Sequence, residues 1–166
     1  MLAFAVAAVT TVGVSSAPAA PHRARTFTTL LSASLSGQVN LTTFDYVLVG
    51  KQRGKPEFVQ GSVRSVGNLL SGAGLVTITN EDGDTETLVH TADLPATGIV
   101  FGSDLPFPFK VVYTIIGGTG DLAGATGSDH VEGCVGFSAG TSPDTFTETV
   151  KATVRGTITL PDDGDS

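Results

Sequence analysis

From Thr145 to Leu160 the chain alternates without interruption. Thr145, Thr147, Thr149, Lys151, Thr153, Arg155, Thr157 and Thr159 fall on one side of a period of two, and Phe146, Glu148, Val150, Ala152, Val154, Gly156, Ile158 and Leu160 on the other. Successive side chains of a strand point to opposite faces, so this run is a β-strand with threonine and charge toward water and an apolar row toward a core. Pro161, which has no N–H to give to a ladder, marks its end. A strand with one wet and one dry face is not stable alone, so the rest of the chain must supply its partners and the apolar surface that covers it.

Further runs of the same kind follow one another at short spacing. Phe109 to Ile116 sets Phe109, Val111, Tyr113 and Ile115 against Lys110, Val112, Thr114 and Ile116, and Ser128 to Phe137 makes another strand. Leu70 to Thr79 and Thr85 to Thr91 flank Asn80-Glu81-Asp82-Gly83-Asp84, where Asp-Gly tolerates the positive φ of a tight hairpin. Phe58 to Val66 alternates as well. Val39 to Val49 reads as the first clear strand, with Val39, Leu41, Thr43, Asp45, Val47 and Val49 on one face and Gly50 to Pro56 as the loop beyond it. Pro95, Pro106 and Pro108 interrupt any ladder between Asp93 and Pro108, leaving room for a short edge strand at Gly98 to Phe101.

About seven or eight short strands without a helix signal predict an all-β domain. A single antiparallel eight-stranded closed β-barrel is the preferred arrangement, because closure removes exposed edges. Its interior is either filled by side chains or wide enough for one small ligand.

A chain of 166 residues with 40% hydrophobic residues supports one domain. The expected division is a secretory signal peptide over 1–20, a flexible lead-in with a first strand over 21–37, the barrel over 38–161 and a disordered acidic tail over 162–166. Met1 to Val14 is apolar and ends in small residues with an Ala17-Pro18-Ala19 cleavage pattern, although no Lys or Arg precedes the run. It is too short to span a bilayer, so a soluble, secreted protein beginning near Ala20 is expected. The net charge of −7 and the single tight basic cluster, Lys51-Gln52-Arg53-Gly54-Lys55, argue against nucleic acid as a partner. Cys134 is the only cysteine, so no disulfide can form within the chain.

The run Tyr113-Thr114-Ile115-Ile116-Gly117-Gly118-Thr119-Gly120-Asp121-Leu122-Ala123-Gly124-Ala125-Thr126-Gly127-Ser128 superficially suggests a dinucleotide cradle. Only Asp121 to Ala125 has room to be helical, no βαβ alternation follows, and no Gly-Lys-Ser/Thr makes a phosphate loop, so no cofactor is expected. The same run resembles the signature turn of the allene oxide cyclase-like barrels, to which the plant dirigent proteins are similar. The secreted bacterial members share a hairpin like Asp82-Gly83-Asp84 and a last strand like Gly156-Thr157-Ile158-Thr159-Leu160-Pro161, so the resemblance covers roughly residues 60 to 161. It implies a calycin-like eight-stranded barrel with an apolar cavity and a frequent homo-oligomeric state. The plant cyclases close a ring on an unsaturated fatty-acid epoxide and dirigent proteins steer radical coupling; their catalytic residues do not map onto this chain, and none is transferred.

Three polar residues sit in otherwise apolar rows. Glu148 lies among Phe146, Val150, Ala152 and Val154, where a dry cavity would raise its pKa and make it a general acid or base. Asp45 interrupts the Val39–Val49 row, and Tyr113 joins Phe109 and Val111. The three are expected to converge on one polar group of a lipophilic ligand; the plainer alternatives are a Glu148 at the wet barrel mouth, an Asp45 paired with a nearby donor and a Tyr113 whose hydroxyl reaches a loop carbonyl. His130, Glu132 and Cys134 share the face opposite Val131, and His90 follows Leu88 on another strand. This spacing is a weak metal signal, and His130 and Cys134 are too far apart along a strand to act as a nucleophile pair, so neither metal nor thiol chemistry is expected. Two functions remain: a secreted non-enzymatic barrel that holds a small hydrophobic ligand or serves a structural or interaction role, and a cofactor-free cyclase or isomerase acting on a lipophilic polyketide- or fatty-acid-like substrate.

Overall fold

The computed structural model describes residues 22–91 and 106–161. The expected signal peptide over 1–20, the short strand at Gly98 to Phe101 and the acidic tail over 162–166 lie outside these residues. Eight strands follow in chain order: β1 (His22–Val39), β2 (Asp45–Arg53), β3 (Gly61–Asn68), β4 (Ala73–Thr79), β5 (Thr85–Thr91), β6 (Phe107–Gly118), β7 (Thr126–Ala139) and β8 (Thr145–Pro161). Each pairs antiparallel with its neighbours in sequence, and β1 pairs with β8, so the sheet is a closed eight-stranded barrel.

Strand β8 keeps the alternation of its sequence, with Phe146, Val150, Ala152, Val154 and Ile158 buried. Strand β1 runs along nearly its whole length, from His22 opposite Pro161 to Gln38 opposite Thr145. The segment expected as a flexible lead-in with a first strand is therefore structured from His22 onward. Its inward row (Phe27, Leu31, Ala33, Leu35) is broken up by serine and threonine rather than by charge, which weakens the pattern in the sequence while the ladder to β8 continues along it.

A second difference concerns the expected Val39–Val49 strand. Asn40 to Phe44 form a tight turn: the Asn40 side-chain oxygen accepts from the amides of Thr42 (2.9 Å) and Thr43 (3.1 Å), and Phe44 takes φ 62°. Asn and Asp favour such turns because their side chains mimic a backbone acceptor. The turn shifts the phase of the alternation. Val39 faces inward on β1, but on β2 the inward residues are Tyr46 and Leu48, while Val47 and Val49 are 45% and 53% exposed.

One end of the barrel is closed by two short 3-10 turns. Glu57–Val59 buries Val59, whose carbonyl accepts from the Gln52 side chain at 2.7 Å. Gly120–Leu122 buries Leu122. This second turn is the glycine-rich run, and it is tied to the β4–β5 hairpin: the Asp121 amide donates to the Asp84 carboxylate at 3.2 Å and the Thr119 amide to the Thr85 carbonyl at 2.9 Å. Gly120, at φ 58°, lies so close to Asp84 that a Cβ would overlap the carboxylate.

The phase of β2 is open to a direct test. Leu48→Ala, at a side chain 3% exposed, should cost about 2–4 kcal/mol in urea unfolding, whereas Val49→Ala should stay within about 1 kcal/mol. The reverse order would restore the odd-numbered face as the buried one.

Candidate functional site

The barrel encloses a lumen of about 150 Å³. Most of its wall is aliphatic and aromatic, with Leu31, Leu48, Val63, Leu88, Val131 and Phe137 among the side chains that reach it. Into this apolar space project Tyr46, Ser65, Glu86, His90, Tyr113, Asp129 and Glu148.

The strand register arranges many of these groups in one row. Tyr46 pairs with Gly67, Gly67 with Gly74, Gly74 with His90, His90 with Tyr113, Tyr113 with Asp129, and Asp129 with Gly156. Large polar side chains thus share one row of the wall with three glycines, and the glycines are the spaces that Tyr46, His90 and Asp129 occupy. A Cβ on Gly67 would stand 2.6 Å from the Tyr46 hydroxyl, one on Gly74 would stand 2.9 Å from that hydroxyl and overlap His90 Nε2, and one on Gly156 would overlap Asp129 Oδ1 and the Phe27 ring. His90 and Tyr113 meet edge to face with ring centroids 5.0 Å apart. Ser65 and Tyr46 share a side-chain hydrogen bond.

Of the three residues singled out in the sequence, the structure brings Tyr113 and Glu148 to the lumen and leaves Asp45 outside. Asp45 is exposed and accepts from the Asn68 side chain at 2.7 Å. That hydrogen bond and a second from Thr43 hold its carboxyl below the usual range. The expected convergence of Asp45 with Tyr113 and Glu148 is therefore corrected; the phase shift at Asn40–Phe44 is the reason. Tyr46, next in sequence, takes the inward place instead.

Glu86 is the most strongly perturbed carboxyl of the lumen, and Asp129 is the second that is buried. Glu86 is 2% exposed and Asp129 6%, and Glu86 Oε1 and Asp129 Oδ1 have no hydrogen-bond partner among the described residues. Loss of water, and next the charge of Asp129, push the Glu86 carboxyl up to about 8. Desolvation alone raises Asp129 to about 6 and Glu148 to about 7. Tyr113 is raised by burial and then by the charge of Glu148, with smaller contributions from Tyr46 and Asp129. Burial raises Tyr46 too, against the hydrogen bond from Ser65. It lowers His90, against a hydrogen bond to the Gly72 backbone. All nine Lys and Arg side chains are exposed, so no protein cation offsets the carboxyls of the lumen.

Glu86 and Asp129 were legible by the same period that exposes Glu148. Glu86, Leu88 and His90 form one face of β5, and Asp129 shares the face of Val131, Val135 and Phe137 on β7. The outward face of β7 carries His130, Glu132 and Cys134; Cys134 is exposed, and Glu132 pairs with Lys110 at 2.8 Å. Among the described residues, no three His, Cys, Asp or Glu side chains are grouped to hold a metal ion, and no helix is long and apolar enough to cross a membrane. Compared with protein-family models, with curated proteins and with solved structures, the chain matches none.

Three carboxyls with raised pKa values make the fold sensitive to alkali. Each binds its proton more tightly in the native than in the unfolded chain, so stability is greatest below the unfolded values (near 4.5 for Glu86) and falls as pH rises through the native ones. His90 acts in the opposite sense only below its ordinary value of 6.5. Between pH 6.5 and 8.5 the unfolding free energy should therefore drop by about 2 kcal/mol, chiefly through Glu86. Glu86→Gln should flatten that slope and stabilise the protein at pH 8.5; a slope unchanged in this variant would remove Glu86 as its source.

Proposed function

We propose that the protein is an exported carrier whose barrel holds one small, mainly apolar molecule in the lumen. The observation that supports this most is the lumen itself: a cavity of about 150 Å³, walled by aliphatic and aromatic side chains, with a few polar groups aimed inward. Apolar cavities of this size admit a ligand of roughly benzene size without rearrangement, and apolar walls with sparse polar anchors are what small-molecule sites have in common. The apolar leader expected over 1–20 supports export. The resemblance of the glycine run to the allene oxide cyclase-like barrels supports a ligand-bearing cavity and a homo-oligomer, and the exposed Val47 and Val49 on the outer face of β2 suit contact with a second copy.

Native mass spectrometry of protein purified from its host should show an added mass that is lost on unfolding and extracts into organic solvent. Val76→Phe, which narrows the lumen at a buried wall position, should abolish the added mass while the barrel stays folded. Retention of the full added mass in this variant would place the ligand elsewhere.

One observation favours a second reading, a cofactor-free cyclase or isomerase acting on a lipophilic substrate. Glu148 faces the lumen with its carboxyl raised to about 7, the range in which a group both gives and takes a proton at neutral pH. Tyr113, close enough for its own ionisation to be opposed by Glu148, would orient a substrate oxygen. If a substrate turns over, Glu148→Gln should lower kcat by about 100-fold or more with a smaller change in KM; undiminished turnover would remove Glu148 from the mechanism.

A further inference from the structure

The two carboxyls deepest in the lumen specify more than an apolar ligand. Glu86 from β5 and Asp129 from β7 each present an oxygen that is buried and accepts no hydrogen bond among the described residues. Both residues line the same cavity. Acceptors in this state are costly, because each has given up water without gaining a donor. The groups around them do not supply one. His90 Nδ1 is itself buried without a partner, and the other polar groups of the lumen, Tyr46, Gln52, Ser65, Tyr113 and Glu148, leave both oxygens unpaired. Every Lys and Arg of the chain lies on the outside.

We infer that Glu86 and Asp129 form the docking site for the ammonium group of a small lipophilic amine, whose hydrocarbon body fills the apolar remainder of the lumen. An ammonium carries three donors and a positive charge, so it supplies the donor that a buried carboxyl oxygen lacks and offsets the charge of Asp129 at once. A hydroxyl donates as well, but it brings no charge to set against the carboxylate. A carboxylate or phosphate ligand would bring a further negative charge into a space that has no cation. Size selects as well, since about 150 Å³ leaves room for a body of roughly one aromatic ring beside the head group. At neutral pH the pair holds close to one negative charge, Asp129 being ionised and Glu86 protonated, which matches a monocation.

This inference rests on the carrier reading, and three probes with the same ring separate the two: toluene, benzyl alcohol and benzylamine, titrated into the intact barrel and followed by calorimetry. Benzylamine should bind at least tenfold more tightly than benzyl alcohol. In Asp129→Asn the ratio of the two affinities should collapse toward one and in Glu86→Gln it should fall, with near-ultraviolet dichroism confirming that each variant is folded. In the unaltered protein, carbon-13 carboxyl resonances of one Glu and one Asp should move on addition of benzylamine. Uptake of toluene and benzyl alcohol without preference for the amine would overturn the inference and leave the carrier reading standing, with water serving the two oxygens. Preference that survives in both variants, or carboxyl resonances that do not move, would also overturn it. Failure of all three probes to bind would remove both.

Discussion

The interior depends on the ladder between β1 and β8. Eight strands joined only in sequence order would form an open sheet with two free edges and an inner face still wet. Pairing from His22 opposite Pro161 to Gln38 opposite Thr145 turns that face into a lumen. Strand β1 also brings Phe27 against Phe58 at 5.1 Å, edge to face, beside the 3-10 turn that buries Val59. The strand that closes the cylinder thus helps to shut one end of it.

Once the cylinder is closed, every inward side chain is judged by what it loses when water leaves. Leu48, Leu88 and Val154 gain. Carboxyls lose, and they lose most where no cation follows them inside. With Lys and Arg confined to the outer face, the lumen answers through protonation: burial lifts Glu86, Asp129 and Glu148 toward neutral values. The same separation of sign gives the lumen its preference for a donor-rich guest. Stability and ligand choice are two consequences of one desolvation.

Most of the architecture was legible because alternation is robust where both faces are distinct. Strand β8, with threonine against aliphatics, and strand β6, with Phe109, Val111 and Tyr113 against Lys110 and Thr114, show it plainly. Strand β1 was faint because serine and alanine carry little contrast. The site was only half legible. Period two assigns a residue to a face but cannot count residues through a turn, so Asn40–Phe44 exchanged Asp45 for Tyr46 without leaving a mark in the hydropathy pattern. Glu86 and Asp129 followed from the same period as Glu148, but their place in one lumen depends on how β5, β6 and β7 pair, and that is a property of pairing between strands rather than of any strand alone.

The glycines opposite the polar side chains bear on why these groups persist in a core. Leucine at position 86 or 129 would avoid the desolvation of a carboxyl, and mutational logic for buried charges says that such a replacement is commonly neutral or stabilising. Yet Gly67 and Gly74 leave the space in which the Tyr46 hydroxyl and the His90 ring lie, and Gly156 leaves the space for Asp129. An isolated polar residue could be an accident of a tolerant core. Three polar side chains, Tyr46, His90 and Asp129, each set in a glycine recess on the neighbouring strand, make a shaped wall in which backbone and side-chain choices on β2, β3, β4, β5, β7 and β8 agree with one another. Departures from local stability that agree across several strands are what a functional surface looks like from inside a fold.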